Sequence, residues 1–238
     1  MRRKNILILG LLLAALFIYL GVVSGCAPDN DLVQDEPLEP VEPVDAISEA
    51  TAGRYKELEI REYEGARLDP SVGPRDNSIA GIQQVELDDY TLQVTGLVSE
   101  PVTYTYEQVL EKDSYQRLIT LYCVEGWDAT ILWEGVRIMD LLEDAGITDD
   151  DVVVIFHAVD GYTTSMPLET IAERDMLLAY SSNGITLPPN LGFPFIVVAE
   201  DRLGYKWARW VYEIELSSDL EYEGFWESRG YSNEAGVE

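Results

Sequence analysis

The 238-residue sequence predicts an α+β fold with mixed β-sheets and short helices. Short apolar runs typical of strands are interspersed with short segments that have helical spacing. The two kinds of segment do not alternate at a regular interval, as they would in a doubly wound parallel sheet. Hydrophobic residues make up 47% of the chain, which is enough to form a substantial core.

The predicted elements begin after residues 54–84, a polar stretch without a clear pattern. Strands are predicted at residues 90–94, 118–123, 152–159, 193–199 and 206–216. Helices are predicted at residues 106–110, 138–145 and 168–174. Thr105 is a typical N-cap for the first helix, and Gly146 ends the second.

The charge balance excludes several functions. The chain has 44 Asp and Glu against 16 Lys and Arg, a formal net charge of −28. A nucleic-acid-binding protein needs clustered cations to contact phosphates, so we expect no nucleic-acid partner. Two cysteines are too few for a disulfide framework, and one histidine is too few for a histidine-rich zinc site.

The N-terminal segment has the features of an export signal. Arg2, Arg3 and Lys4 precede an uncharged run at residues 6–23, and Val23-Ser24-Gly25-Cys26 resembles the lipobox of bacterial lipoproteins. This resemblance predicts a signal peptide at residues 1–25 and lipidation of Cys26. An uncleaved anchor helix is the alternative. Both place the following chain at the outer face of the cytoplasmic membrane. The Arg2-Arg3 pair fits a twin-arginine signal or an ordinary positive n-region.

The segment after Cys26 is predicted to be a tether. Between Cys26 and Gly53 there are eight acidic residues, four prolines and no Lys or Arg. Charge repulsion and proline stiffness favour an extended chain. We therefore divide the chain into the signal peptide, an acidic tether with an irregular lead-in at residues 26–75, and a folded domain at residues 76–238.

The candidate for chemistry is Cys123, which ends the predicted strand at 118–123 just before Glu125-Gly126. A thiolate at a strand end is held rigidly and can act as a nucleophile or as a ligand to a soft metal. A cysteine in an apolar run is equally compatible with a small buried hydrophobic residue. The local residues leave these three interpretations open.

An ordered set of motifs resembles the molybdopterin domain of the sulfite oxidase family. The match runs from about Val85 to Tyr231. The motifs are Cys123-Val124-Glu125-Gly126-Trp127, Trp133-Glu134-Gly135-Val136, Asp140-Leu141-Leu142, Asp160-Gly161-Tyr162, Pro167-Leu168-Glu169, Leu187-Pro188-Pro189, Gly192-Phe193-Pro194 and Gly204-Tyr205-Lys206-Trp207-Ala208-Arg209-Trp210. The resemblance implies this family's fold. The C-terminal immunoglobulin-like domain of sulfite oxidases and a haem-attachment motif are expected to be absent.

The resemblance also implies roles for individual residues. Cys123 would bind molybdenum beside the dithiolene of the pterin. The Cys-Val-Glu form is similar to that of the family's periplasmic methionine-sulfoxide reductases, which implies a catalytic Glu125 beside the metal. Lys206 and Arg209 match positions that bind the pterin phosphate, and their positive charge suits that role.

Two further residues follow from looser matches. Tyr222-Glu223-Gly224-Phe225 is similar to a segment that carries a tyrosine near the metal, which makes Tyr222 a candidate. Arg75-Asp76-Asn77 approximates an Arg-Asn-His segment of the family, which makes Asn77 a candidate cofactor contact. The chain also departs from the pattern. Many members have His-Gly before Phe-Pro and an arginine soon after, whereas this chain has Leu191-Gly192 and then Phe195-Ile196.

We therefore expect a lipid-anchored extracytoplasmic oxidoreductase with a molybdenum-molybdopterin cofactor that transfers an oxygen atom with two electrons, as in sulfoxide reduction or sulfite oxidation. Its partners would be the membrane, a separate redox carrier and a small or methionine-sulfoxide-like substrate. The missing His and Arg motivate an alternative, a cofactor-less binding or scaffold lipoprotein that keeps the fold. A third hypothesis is a thiol-based redox protein that uses Cys123.

Overall fold

The computed structural model describes residues 49–71 and 78–237, which form an α+β fold. Its strands are β1 (Glu62–Tyr63), β2 (Ala66–Arg67), β3 (Leu92–Gly96), β4 (Val102–Tyr104), β5 (Tyr115–Tyr122), β6 (Asp128–Arg137), β7 (Val153–Ala158), β8 (Thr163–Pro167), β9 (Leu177–Ser182), β10 (Ile185–Thr186), β11 (Ile196–Val198) and β12 (Val211–Ser217). Its α-helices are α1 (Glu49–Leu58), α2 (Tyr106–Leu110), α3 (Ile138–Ala145) and α4 (Leu168–Glu173). Short 3₁₀ turns cover Pro189–Leu191, Gly204–Lys206 and Glu227–Arg229.

Two sheets carry most of the structure. The first has the strand order β10-β9-β6-β5, and β11 also pairs with β9. The second has the order β4-β3-β12-β7-β8. In the second sheet, β12 runs parallel to β3 and antiparallel to β7, so the expectation of a mixed sheet is confirmed. A separate β1-β2 hairpin precedes both sheets.

The predicted helices are confirmed because their local signals are strong. Thr105 and Gln108 form a capping box at α2, in which each side chain bonds the other residue's backbone N–H. Helix α3 is amphipathic and buries Ile138, Leu141 and Leu142. Helix α4 ends at Glu173, one residue before the predicted end.

The strand predictions are partly wrong. Strand β6 has no alternating pattern, because side chains on both of its faces are buried over much of its length. Strand β9 is also buried on both faces. Neither strand therefore shows the alternation of apolar and polar residues from which a strand is predicted. The predicted strand at 206–216 begins only at Val211. The preceding residues form a 3₁₀ turn and an irregular segment in which Trp210 has a φ of +54°.

One continuous cluster of buried apolar side chains joins the two sheets with helices α2 to α4. Val94 and Ile214 of the second sheet belong to it, as do Trp133 and Leu178 of the first. Gly135 allows β6 and β9 to approach closely, since a Cβ there would lie 2.2 Å from the carbonyl oxygen of Leu178. Within residues 49–71 and 78–237, no helix is both long and apolar enough to cross a membrane.

A buried carboxylate joins residues 59–71, which precede the predicted domain boundary at residue 76, to the first sheet. Oε2 of Glu59 accepts hydrogen bonds from Ser71 N at 2.9 Å, Ser71 Oγ at 2.7 Å and Asn183 Nδ2 at 3.2 Å. Its Oε1 accepts one from Arg61 at 2.8 Å. Burial raises the pKa of Glu59, but these hydrogen bonds outweigh burial and hold the pKa below its usual value. The ionised form of Glu59 therefore stabilises the folded state.

We predict that Glu59→Gln lowers the free energy of unfolding by about 1.5–3 kcal/mol at neutral pH, the usual contribution of hydrogen bonds to a charged group. A depressed carboxyl pKa stabilises the fold above the unfolded-state value near 4.3, and this contribution disappears as the pH falls through the folded-state pKa. The difference in the free energy of unfolding between wild type and variant should therefore become smaller below about pH 4. Urea unfolding at several pH values measures it, with the exposed Glu57→Gln as control. A gap that is constant with pH contradicts this assignment.

Candidate active site

A pocket of about 490 Å³ lies among segments that are distant in the sequence. Its walls include the β5–β6 hairpin, the β7–β8 turn, the Pro189–Leu191 turn, the Gly204–Lys206 turn with the residues after it, and the C-terminal segment. This volume is within the range of small-molecule sites. Cys123, Glu125 and Arg209 all line it, so the structure brings together three of the residues singled out from the sequence.

Cys123 lies in the tight loop that joins β5 to β6. Its backbone N–H donates to the carbonyl of Trp127 at 2.9 Å, and its own carbonyl accepts from Gly126 N at 3.0 Å. The adjacent Tyr122 forms a bridge with Leu203, which places the start of the Gly204–Lys206 turn against the loop. The half-buried thiol is therefore presented by a hairpin whose two strands are paired along eight residue pairs.

Glu125 shares this loop and is fixed by an aromatic neighbour. The indole Nε1 of Trp127 donates to Oε2 of Glu125 at 3.1 Å. The glutamate is exposed, whereas Trp127 is partly buried and lines the pocket. The loop therefore places a carboxylate two residues after the thiol and limits its orientation.

Arg209 is held by the Pro189–Leu191 turn. Its Nη1 donates to the carbonyl oxygen of Asn190 at 2.8 Å, and its guanidinium lies over the Trp210 ring, 4.6 Å from the centroid. Gly192 makes this contact possible because it has a φ of +112° and a Cβ there would lie 2.9 Å from Arg209 Cβ. The guanidinium is thus set in one position at the pocket wall.

Asp160 adds a second carboxylate to the pocket. It accepts a hydrogen bond from Tyr162 N at 3.0 Å. Burial raises the pKa of Asp160, and the Tyr162 N–H, the charge of Arg209 and the backbone of Ile79 partly oppose that increase. Among the lining residues that the structure describes, the charged groups are therefore Glu125, Asp160 and Arg209.

Aromatic side chains form much of the remaining wall. The rings of Trp226 and Tyr231 are 5.2 Å apart, and those of Tyr205 and Tyr231 are 5.3 Å apart. The hydroxyl of Tyr162 donates to the carbonyl of Tyr205. Burial is the main cause that raises the pKa of Tyr162. The hydroxyl therefore stays protonated and ties the β7–β8 turn to the Gly204–Lys206 turn.

The structure places Lys206 away from the pocket lining, although the sequence made it a candidate phosphate contact. Its side chain is fully buried, and its Nζ donates to Glu227 Oε1 at 2.5 Å, Ser165 O at 2.9 Å and Asn233 Oδ1 at 2.8 Å. Burial lowers the pKa of Lys206, and pairing with Glu227 partly offsets that effect. The ammonium group therefore serves an internal ion pair.

The other candidates from the sequence have different locations. Tyr222 is not among the described lining residues, and its carbonyl accepts hydrogen bonds from Ser165 Oγ at 3.2 Å and Asn233 Nδ2 at 3.1 Å. Tyr162, Tyr205 and Tyr231 are the tyrosines that line the pocket. Asn77 and the lipidation candidate Cys26 lie outside the described residues.

Asp160 and Asn190 are among the polar residues of the pocket to which the sequence gave no role. In the sequence, Asp160 belongs to the Asp160-Gly161-Tyr162 motif, and the family resemblance implied no role for it. Asn190 lies directly before Leu191, where the chain departs from the family pattern. That departure was the only signal in the sequence that this turn is unusual.

We predict that Lys206→Met lowers the free energy of unfolding by about 3–5 kcal/mol, because it leaves the buried Glu227 carboxylate without its cation. The double variant Lys206→Met/Glu227→Gln should recover much of this loss, since no charge is then buried. Chemical denaturation measures both values. Lys112→Met removes the more exposed pair with Asp144 and should cost at most about 1 kcal/mol. Equal losses in the Lys206 and Lys112 variants would show that the buried pair has no special structural role.

Comparison with known proteins identifies relatives over the same region. The chain is 36% identical over 147 residues to "Uncharacterized oxidoreductase YuiH" of Bacillus subtilis, covering 61% of this chain and 74% of that protein. It is 30% identical over 151 residues to "Putative protein-methionine-sulfoxide reductase subunit YedZ1" of Azospira oryzae, covering 63% of this chain and 57% of that protein. It is 29% identical over 171 residues to an inducible NADH nitrate reductase of Glycine max, covering 58% of this chain and 19% of that protein.

A solved structure shares the fold. The sulfane dehydrogenase SoxCD of Paracoccus pantotrophus matches with a TM-score of 0.57 and 19% identity, covering 82% of this chain and 61% of that chain. The family model described as "Oxidoreductase molybdopterin binding domain" matches residues 79–226, which is more than half of the chain and contains every pocket residue discussed above except Tyr231. The chain therefore belongs to the oxidoreductase molybdopterin-binding domain family.

Proposed function

We propose that this protein is a lipid-anchored, extracytoplasmic molybdopterin-dependent oxidoreductase that transfers an oxygen atom with two electrons. The observation that carries the proposal is the Cys123 thiol in the wall of a pocket of about 490 Å³, with the Arg209 guanidinium in the same pocket. Family membership supports a molybdopterin at this place. The anchoring and the location rest on the signal sequence and Cys26.

The residues of the pocket fit such a cofactor. A thiolate is a ligand that softer metals accept, and Cys123 is held rigidly by its hairpin. A guanidinium suits a phosphate, and Arg209 is already oriented by Asn190 and Trp210. Asn190 also has a buried Oδ1 that finds no hydrogen-bond partner among the described residues. A thiol, a guanidinium and an amide that could serve such a cofactor thus line one pocket.

When bound, the molybdenum cofactor would supply two-electron oxygen-atom chemistry. Cys123 would hold the metal, and Arg209 would neutralise the phosphate. Trp127 orients the Glu125 carboxylate at the pocket wall, where a carboxyl group can exchange a proton with a bound substrate. Aromatic side chains, among them Trp226 and Tyr231, supply an apolar part of the pocket wall.

The charges of the pocket favour a neutral oxidised substrate such as a sulfoxide. Glu125 and Asp160 both line the pocket and repel anions such as sulfite or nitrate, and Arg209 is committed to the cofactor in this proposal. Sulfoxide reduction consumes two electrons and two protons, breaks the S–O bond and yields a thioether and water. A separate redox partner would deliver the two electrons, and Glu125 would pass on the two protons, which it takes up from solvent one after the other.

One observation favours a second candidate, a cofactor-less binding or scaffold lipoprotein. Arg209 is the only cation among the described lining residues, because the Lys206 ammonium is buried in an ion pair and Leu191 occupies a position at which many relatives have histidine. Few cations would remain for a phosphate. The second candidate predicts metal-free protein, so metal analysis separates the two.

We predict stoichiometric molybdenum in the full-length protein made in a host that supplies the cofactor, and a decrease of roughly tenfold or more in Cys123→Ser. Elemental analysis by mass spectrometry measures this. Asp128→Ser, an exposed change at the strand pair that closes the same loop, is the control and should keep its molybdenum because Asp128 is not among the described lining residues. Metal-free wild-type protein would reject the enzyme and favour the scaffold.

A further prediction concerns Glu125. Replacing it by Gln should lower sulfoxide reduction by about a hundredfold, because the amide cannot deliver a proton, while the molybdenum content stays unchanged. A dye-linked assay with dimethyl sulfoxide measures the rate, and sulfite oxidation serves as the comparison reaction. Glu223→Gln, an exposed change outside the pocket lining, should behave as wild type. Undiminished turnover in Glu125→Gln would remove this residue from the mechanism.

A further inference from the structure

Asn190 has a buried polar atom whose hydrogen-bonding capacity is unused. It lies in the Pro189–Leu191 turn and lines the pocket. Its Oδ1 is inaccessible to solvent and has no hydrogen-bond partner among the described residues. A buried acceptor without a partner destabilises a folded protein, and native structures contain few of them. Such an atom at a pocket wall therefore requires an explanation.

The turn cannot easily relax to give this amide another partner. The carbonyl of Asn190 accepts from Arg209 Nη1 at 2.8 Å, and the carbonyl of Pro189 accepts from Trp210 Nε1 at 2.7 Å. The backbone N–H of Gly192 also donates to the carbonyl of Pro189 at 3.1 Å. These three hydrogen bonds hold the backbone of the turn, so only rotation of the Asn190 side chain about its own bonds can bring Oδ1 to a partner, and the residue lines the pocket.

We propose that Asn190 is a cofactor-binding residue whose amide oxygen accepts a hydrogen bond from an N–H group of the pterin. The inference rests on the proposed function. Pterins carry ring and exocyclic N–H donors, and a neutral amide acceptor suits them. The same turn would then act on the cofactor twice, through the Asn190 side chain and through Arg209, which the Asn190 carbonyl orients. The unused acceptor destabilises the cofactor-free protein and would gain its partner when the cofactor binds.

The proposal makes two predictions of opposite sign for Asn190→Leu, which replaces the amide with an apolar group of similar size. Protein from a host that cannot make the cofactor should unfold at a higher temperature than wild type, because a buried unpaired acceptor is removed. Protein from a host that supplies the cofactor should lose molybdenum about tenfold faster during dilution and dialysis. Thermal unfolding and metal analysis measure the two effects.

Ser182→Ala provides a matched control. Ser182 also has a buried Oγ without a partner among the described residues, but it belongs to β9 and is not in the pocket lining. Its replacement should raise the unfolding temperature of cofactor-free protein and leave the rate of molybdenum loss unchanged. Asn190→Ala, which adds no bulk, should lose molybdenum faster, as Asn190→Leu does, and so covers the case in which leucine does not fit.

The outcomes separate this inference from the proposed function. Wild-type protein that holds no molybdenum overturns the proposed function and, with it, the role of Asn190. Wild-type protein that holds molybdenum, together with Asn190 variants that retain it equally long, overturns the inference alone. Faster loss in both Asn190 variants, with normal retention in Ser182→Ala, supports it.

Discussion

The buried ion pair between Lys206 and Glu227 determines how the walls of the pocket are assembled. Both side chains are fully buried, and Glu227 also accepts a hydrogen bond from Thr164 Oγ1 at 2.6 Å. The pair therefore joins the Gly204–Lys206 turn, strand β8 and the C-terminal segment. Charges are costly to bury, so they are tolerated only when each is paired and hydrogen-bonded. This requirement fixes Trp226, directly before Glu227, at the pocket wall.

The two cations of the Gly204–Trp210 segment have different tasks, although they lie three positions apart. Lys206 points into the protein and stabilises the wall, whereas Arg209 lines the pocket and is oriented by Asn190 and Trp210. In a chain with 44 acidic and 16 basic residues, such positions are informative. A planar guanidinium can bond the turn and still present other N–H groups, which a buried ammonium cannot do.

The sequence predicted features that depend on local interactions. Helix α2 followed from its capping box, and the location of Cys123 at a strand end followed from the apolar run before it. Features that depend on tertiary contacts were missed. The partner of Lys206 is 21 residues away, so its burial has no local signal. Strand β6 was missed because both of its faces are buried over much of its length. The sequence also had no signal that Tyr231 lines the pocket while the candidate Tyr222 does not.

The central claim is that Cys123 binds molybdenum in this pocket. X-ray absorption at the molybdenum edge tests it most directly, because the spectrum counts the sulfur atoms bound to the metal. A pterin dithiolene supplies two sulfur ligands, so the account predicts three in the wild-type protein. Any metal that remains in Cys123→Ser should have two. The same sulfur count in both proteins, or a spectrum without a third sulfur in the wild type, would contradict the account.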